Sequence, residues 1–276
     1  MIIWITFSAL AMEPAAPMIV AHRGASADAP ENTLAAFELA WKLGADAIEC
    51  DVWMTEDGHL VCIHDNRTGG KHEKDIKITE STLQEIQQLN LGVRFGDKWK
   101  DEKIPLLSDV LLTVPEHGTI YIEVKDSARV LPALKKLLDD TALKDQQITL
   151  ISFNQDVIKQ AGDILPEIKN LLLLNIKYNK GKQRWEPNID EVLSKLADTG
   201  ARGLDVKASE YIDKSFISKL KANDAECHIW TVNDPESAVE FWKLGVKSIT
   251  TDKPDTIKSA LSKTINPSDR TPQKEQ

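Results

Sequence analysis

The chain has no stripe of basic residues. Its 34 Lys and Arg are outnumbered by 43 Asp and Glu, for a net charge of -9. Nothing is therefore available to displace counterions along a nucleic-acid backbone, and such a partner is disfavoured, although a small phosphate ligand is not. Cysteine is scarce. Cys50, Cys62 and Cys227 sit in apolar, strand-like contexts with no CxxC or metal-ligand spacing, and they read as reduced core residues. The first apolar run, MIIWITFSALA, is too short to span a bilayer comfortably. No GxGxxG follows the first expected strand, which removes support for a doubly wound dinucleotide fold, the runner-up architecture.

That run, Met1 to Ala11, has the shape of a secretion h-region with a small-residue cleavage site, but no Lys or Arg precedes Arg23 to supply a positive n-region. The expectation is a signal remnant or disordered leader over residues 1–17 and a periplasmic or secreted protein. A cytoplasmic protein starting at Met12 is the alternative.

What is present is ordinary globular composition, 42% hydrophobic and 28% charged over 276 residues, enough for one large core. Short apolar runs recur at MIVA (18–21), DAIEC (46–50), TIYIEV (119–124), ITLIS (148–152), NLLLLN (170–175), GLDV (203–206), CHIWTV (227–232) and KSIT (247–250). Helix-like segments with apolar residues three and four apart separate most of them, such as 33–43, 130–138 and 237–245. Eight alternating units at this length predict an α/β fold, a (β/α)8 TIM barrel over residues 18–262. One gap breaks the rhythm. Residues 66–118 are too long for a simple βα loop and read as a small insertion after the second strand, ending in the helix that should follow that strand. The segment 263–276 reads as a disordered tail.

Charged residues interrupt the apolar runs at particular places. Alternate strand residues face the same side, so Glu49 and Asp51 project together from the second strand, and Glu123 and Lys125 repeat the arrangement on the third. In a barrel of this kind the site lies at the C-terminal strand ends. Three carboxylates crowded there repel one another unless a hard divalent cation sits between them. The plainer reading of each acid alone is a surface ion pair. Two histidines shift the balance: His22 in AHRG and His64 in CIHD end adjacent strand arms beside those acids. With Arg23 and Lys125 to neutralise a phosphate and two imidazoles for proton transfer, the set suits phosphodiester cleavage.

The residues that carry this chemistry also carry a likeness. The order HRG, ENT, ExD, HD, ExK, SFN, WTVN and TDKP, from about Met18 to about Ser262, resembles the glycerophosphodiester phosphodiesterase family. The resemblance implies a barrel with an insertion after the second strand, one divalent cation, Ca2+ or Mg2+, and hydrolysis of a small-molecule glycerophosphodiester to glycerol 3-phosphate and an alcohol. It also implies His22 and His64 as the acid/base pair, Glu49, Asp51 and Glu123 as metal ligands, and Arg23 and Lys125 as phosphate contacts. Asn32 and Trp230 join the expected substrate-binding residues. Asn32 has a helix cap as its bland alternative, and Trp230 has core packing. Phe153 and Asn154 are read as structural, and Asp65 as orienting His64 or the hairpin turn. A lysophospholipase D-like or inositol-lipid enzyme, or a non-catalytic binding module on the same fold, are the competing functions. Because Trp230 is the one aromatic identified at the strand ends, head-group discrimination is expected to stay within about tenfold.

Overall fold

The computed structural model describes residues 14–69, 74–90 and 95–265. Residues 1–13 and 266–276 lie outside them, and with them most of the expected leader and tail. Eight parallel strands close a barrel: β1 (Met18–Ala21), β2 (Ala47–Met54), β4 (Thr119–Val124), β5 (Ile148–Ser152), β6 (Lys169–Leu174), β9 (Gly203–Lys207), β10 (Glu226–Trp230) and β11 (Ser248–Thr251). Closure comes from β1 pairing with both β2 and β11, which rules out the open sheet. The short β3 (Leu60–Cys62) pairs antiparallel with the far end of β2. A two-stranded hairpin, β7 (Lys177–Asn179) with β8 (Arg184–Glu186), stands after β6; its polar strands carry too little apolar signal to be read from sequence.

The strands form where the runs are apolar because both their faces are buried, one against helices and the other inside the barrel. All five residues of β5 are buried, for example. Inside the barrel Val20, Ala47, Tyr121, Ile151, Leu171 and Leu173 pack together, while a larger cluster including Ile48, Ile122, Leu172, Ile229 and Ile249 fills the layer under the helices. Full burial of one such aliphatic side chain stabilises the fold by about 1.5–3 kcal/mol.

The helices are α1 (Leu34–Lys42), α2 (Leu83–Gln87), α3 (Leu107–Leu111), α4 (Leu131–Asp139), α5 (Gln155–Ile164), α6 (Ile189–Thr199), α7 (Lys214–Ala222), α8 (Pro235–Leu244) and α9 (Pro254–Ile265). Side-chain caps start most of them: Thr33, Thr82, Asn154, Asn188, Asp213 and Asp234 each accept from a first-turn amide. The helix α9 continues past the barrel boundary expected at residue 262. Between β3 and β4 the long excursion holds α2 and α3, and its Ile63, Ile78, Ile86, Leu89 and Ile104 pack with Val61 of β3 in a separate apolar cluster. The helical patch LQEIQQL (83–89) supplies Ile86 and Leu89, while Val61, Ile63, Ile78 and Ile104 reach it from separate stretches of chain.

Candidate active site

The turn after β1 places the first group of side chains. Gly24, at φ +83°, lies so close to α1 that an added Cβ would stand 2.5 Å from the Ala36 carbonyl carbon. Only glycine satisfies both demands, and the packed turn holds His22 and Arg23 over the strand ends. Arg23 and Asn32 also occupy the left-handed region, at φ 56° and 57°. That conformation is uncommon for a side-chain-bearing residue and is retained here by the surrounding bonds. The Asn32 amide N–H donates to the Arg23 carbonyl (3.0 Å), and the Arg23 amide donates to Glu49 Oε2 (2.9 Å).

From β2 and β4, three carboxylates converge. Glu49 is 3% exposed, Asp51 1% and Glu123 8%, and each brings an oxygen within 4.8 Å of the other two. Glu49 and Asp51 share one side of β2, and Asp51 stands beside Glu123 in the β2–β4 register. One oxygen of each β2 acid is held by the protein. Glu49 Oε2 takes the Arg23 amide, and Asp51 Oδ2 takes the Asn32 side-chain amide at 2.7 Å, with Arg23 Nε 3.0 Å away. The other oxygens, Glu49 Oε1 and Asp51 Oδ1, are buried and accept no hydrogen bond. Lys125 Nζ lies 3.0 Å from Glu123 and 3.3 Å from Asp51.

The electrostatics follow from crowding. Burial, reinforced by the charges of Asp51 and Glu123, pushes the Glu49 carboxyl well above the usual range. Burial and Asp51 push Glu123 up to about 7. Burial acts on Asp51 in the same direction, but Lys125, Arg23 and His64 outweigh it and hold Asp51 below its ordinary value. A buried carboxylate oxygen without a partner is costly to keep. Three hard oxygen donors around one point, with Glu49 Oε1 lacking both a hydrogen bond and an ion pair and Asp51 Oδ1 met by Lys125 alone, fit a hard divalent cation, and the residues present agree with the cofactor class that the sequence implies.

The histidines stand beside this cluster. His22 Nδ1 lies 2.7 Å from Asp252 Oδ1. Asp252 is further bonded by Ser26 and Asn233, and these donors with His22 hold it down to about 2 against the opposing effect of burial. His64 Nδ1 is 2.9 Å from Asp65, as expected, and its backbone carbonyl accepts from the Trp53 indole. Burial and nearby Arg23 and Lys125 pull the His64 pKa down, although Asp51 and Asp65 oppose them.

His22, Arg23, Glu49, His64, Glu123 and Lys125 all line one cavity at the barrel mouth. Trp230 lines it too, with its indole N–H donating to the Asp205 carbonyl oxygen (3.3 Å). Asn32 sits behind the cavity: its amide spends both ends on Asp51, and the cap of α1 that was its alternative belongs to Thr33. Asn154 caps α5, a structural role, but Phe153, also read as structural, faces the cavity beside Trp230. Sequence reasoning left three further residues without a role: Asp205, another buried acid lining the cavity, and Asp252 with Asn233 behind His22. The quoted motifs TDKP and WTVN contain the last two, and Asp205 interrupts the apolar run GLDV.

Comparison with known proteins places the chain. The profile of the glycerophosphoryl diester phosphodiesterase family matches residues 22–256. The chain is 30% identical over 257 residues to a glycerophosphodiester phosphodiesterase of Caldanaerobacter subterraneus subsp. tengcongensis, covering 89% of this chain and 98% of that protein. Among solved structures it is similar to an Oleispira antarctica phosphodiesterase in complex with the product sn-glycerol-3-phosphate, with TM-score 0.78, 26% identity, and coverage of 89% of this chain and 97% of that one. A glycerophosphodiester phosphodiesterase from Agrobacterium tumefaciens gives TM-score 0.71 and 26% identity, with coverage of 88% and 99%.

Proposed function

The chain belongs to the glycerophosphoryl diester phosphodiesterase family, a family of phosphoric diester hydrolases, and from that premise we propose that it hydrolyses glycerophosphodiesters to glycerol 3-phosphate and an alcohol with a histidine acid/base pair and one divalent cation, Ca2+ or Mg2+. The observation that carries this reading is the convergence of both histidines, both basic side chains and two of the three acids on one cavity, with Asp51 directly behind them and two buried acid oxygens, Glu49 Oε1 and Asp51 Oδ1, accepting no hydrogen bond.

Glu49, Asp51 and Glu123 would hold the cation, which supplies concentrated positive charge for the phosphoryl oxygens. Arg23 and Lys125 add charge to the same group, and Asn32 keeps Asp51 in place. His22 is the general base. Ionised Asp252 draws the Nδ1 proton, which leaves Nε2 as the acceptor for the proton of the attacking oxygen. His64 is the general acid: its lowered pKa makes its protonated form the readier donor to the leaving alkoxide. Trp230 packs against the organic part of the substrate.

The test is turnover of glycerophosphocholine and of a lysolipid, each with Ca2+, Mg2+ or EDTA. Metal-dependent cleavage of the first is expected. Full activity in EDTA would sink the cation assignment, and preference for the lysolipid would favour the lysophospholipase D alternative. Arg23→Ala and Lys125→Ala should lower kcat/KM through loss of phosphate binding. Labelled water enters the product phosphate by either route, since opening a cyclic phosphate also consumes water; a cyclic phosphate trapped by rapid quench marks attack by the neighbouring glycerol hydroxyl, and its absence throughout a single turnover marks direct attack by water.

A further inference from the structure

The two histidines of the cavity are anchored unequally. His22 is held from β11: its amide donates to the Thr251 carbonyl (2.9 Å), and its ring meets Asp252, which Ser26 and Asn233 hold in turn. The arm that carries His64 instead leaves the sheet just before the histidine. β3 pairs with β2 from Leu60 to Cys62, the Ile63 amide still donates to the Asp51 carbonyl (3.0 Å), and His64 is the first residue beyond. Among the described residues its backbone makes one hydrogen bond, in which the Trp53 indole N–H donates to the His64 carbonyl oxygen at 3.1 Å. Its ring Nδ1 meets Asp65, the next residue of the same arm. The Asp65 bond ties the ring to its own segment, whereas the Trp53 bond ties that segment to β2.

Strand alternation puts Trp53 on the side of β2 that carries Glu49 and Asp51, so one strand fixes two acids of the site and the support of a histidine. Val61 stands opposite Trp53 in the register, and the half-buried indole packs against the apolar cluster built from Val61 and the excursion after β3. Packing there asks only for an apolar side chain. The indole adds what Phe or Leu lacks, an N–H donor, and that donor is spent on His64.

We propose that Trp53 is a positioning residue for the general acid, and that the excursion after β3 serves as the brace that keeps its indole in place. By fixing the His64 carbonyl, the indole sets how far the imidazole reaches into the cavity. The inference rests on the hydrolase reading above and deepens it. As the bond from phosphorus to the leaving oxygen breaks, the electron pair stays on that oxygen and the imidazolium proton of His64 passes to it. A misplacement of about 1 Å in such a transfer can cost about a hundredfold in rate.

The experiment uses two replacements of Trp53: Trp53→Phe, and site-specific substitution by benzothienylalanine, which keeps the shape of the indole with sulfur in place of the N–H. Turnover of glycerophosphocholine is compared with turnover of the p-nitrophenyl ester of glycerol 3-phosphate, both with the divalent cation present. The choline leaving group needs a proton, whereas p-nitrophenolate departs without one. Both replacements are expected to lower kcat for the choline diester by about tenfold, with KM and the p-nitrophenyl rate held within about twofold. His64→Ala should give the same pattern more strongly. Equal losses on both substrates, or an unchanged choline rate with benzothienylalanine, would overturn the assignment, since a merely structural Trp53 does not distinguish leaving groups. If the wild type cleaves neither diester, the hydrolase reading fails, and the ring proton NMR signals of His64, assigned by their loss in His64→Ala, still decide the positioning: a shift in both replacements supports it, and unchanged signals refute it.

Discussion

Two buried polar clusters occupy the same barrel, and each contains a histidine and an acid. Toward the strand N-termini, the ring of His228 meets Ser248, Tyr121 and Glu226, and Glu226 meets Lys169. At the mouth, His22 and His64 are likewise bonded to acids, but Glu49, Asp51 and Asp205 keep oxygens with no hydrogen bond. The lower network is closed upon itself, whereas the upper one is incomplete. Burial of polar groups is therefore a poor sign of function, and unspent valence in a cavity is a better one.

The sharpest way to break the comparison is to remove a histidine from each cluster. His22→Ala or His64→Ala should cut kcat by roughly 10²–10⁴-fold with little change in melting temperature. His228→Ala should do the reverse, lowering the melting temperature and sparing kcat of the folded protein. Steady-state kinetics and thermal melts read both, and unchanged kcat in both mouth variants would erase the distinction.

Next comes the cation. A ligand that binds only the folded state at a hundred times its Kd adds about 2.7 kcal/mol, so Ca2+ or Mg2+ should raise the melting temperature of the wild type. Glu49→Gln should melt no lower than the wild type in EDTA, because it removes a buried like charge, and it should lose the metal-induced rise. A rise of the same size in this variant would take Glu49 out of the ligand set.

A smaller effect is expected one bond back from the chemistry. Asp252→Asn leaves the His22 ring in place but removes the charge that orients its proton, and kcat should fall by about tenfold, or ~1.4 kcal/mol. A shift in the pH profile of kcat should accompany the loss; a purely structural Asp252 would lower stability instead.

The least effect belongs to the lower cluster. The His228 hydrogen bond and Lys169 hold Glu226 down to about 2 from its ordinary 4.5, against burial. A carboxyl whose folded pKa is depressed stabilises the protein fully above its unfolded pKa, and the contribution is lost as pH falls through the folded one. The difference in melting temperature between wild type and Glu226→Gln should thus shrink between pH 4.5 and about 2. A difference that persists unchanged at pH 2 would show that the carboxylate charge is not its source.

Much of the mouth was legible because its signals are local. Glu49 and Asp51 are two apart on one strand, as are Glu123 and Lys125, and His22 and His64 directly follow apolar runs. What escaped are pairs distant in sequence. Asp252 reaches His22 across 230 residues. Asn32 was expected at the substrate, with a helix cap as the alternative, yet its amide is spent on Asp51 and Thr33 takes the cap. The single acid in GLDV gave no sign of facing the cavity.

By itself the sequence determined eight buried strands, their alternation with helices and the side of each strand on which acids appear, since periods of 2 and 3.6 are written into consecutive residues. Only the tertiary structure decided which strands become neighbours across the barrel, and therefore that Phe153 meets Trp230, that Asp205 lacks a cation and that Asp252 stands behind His22. Those contacts depend on closure and inter-strand register, which are fixed by the packing of the whole sheet rather than by any one stretch of chain.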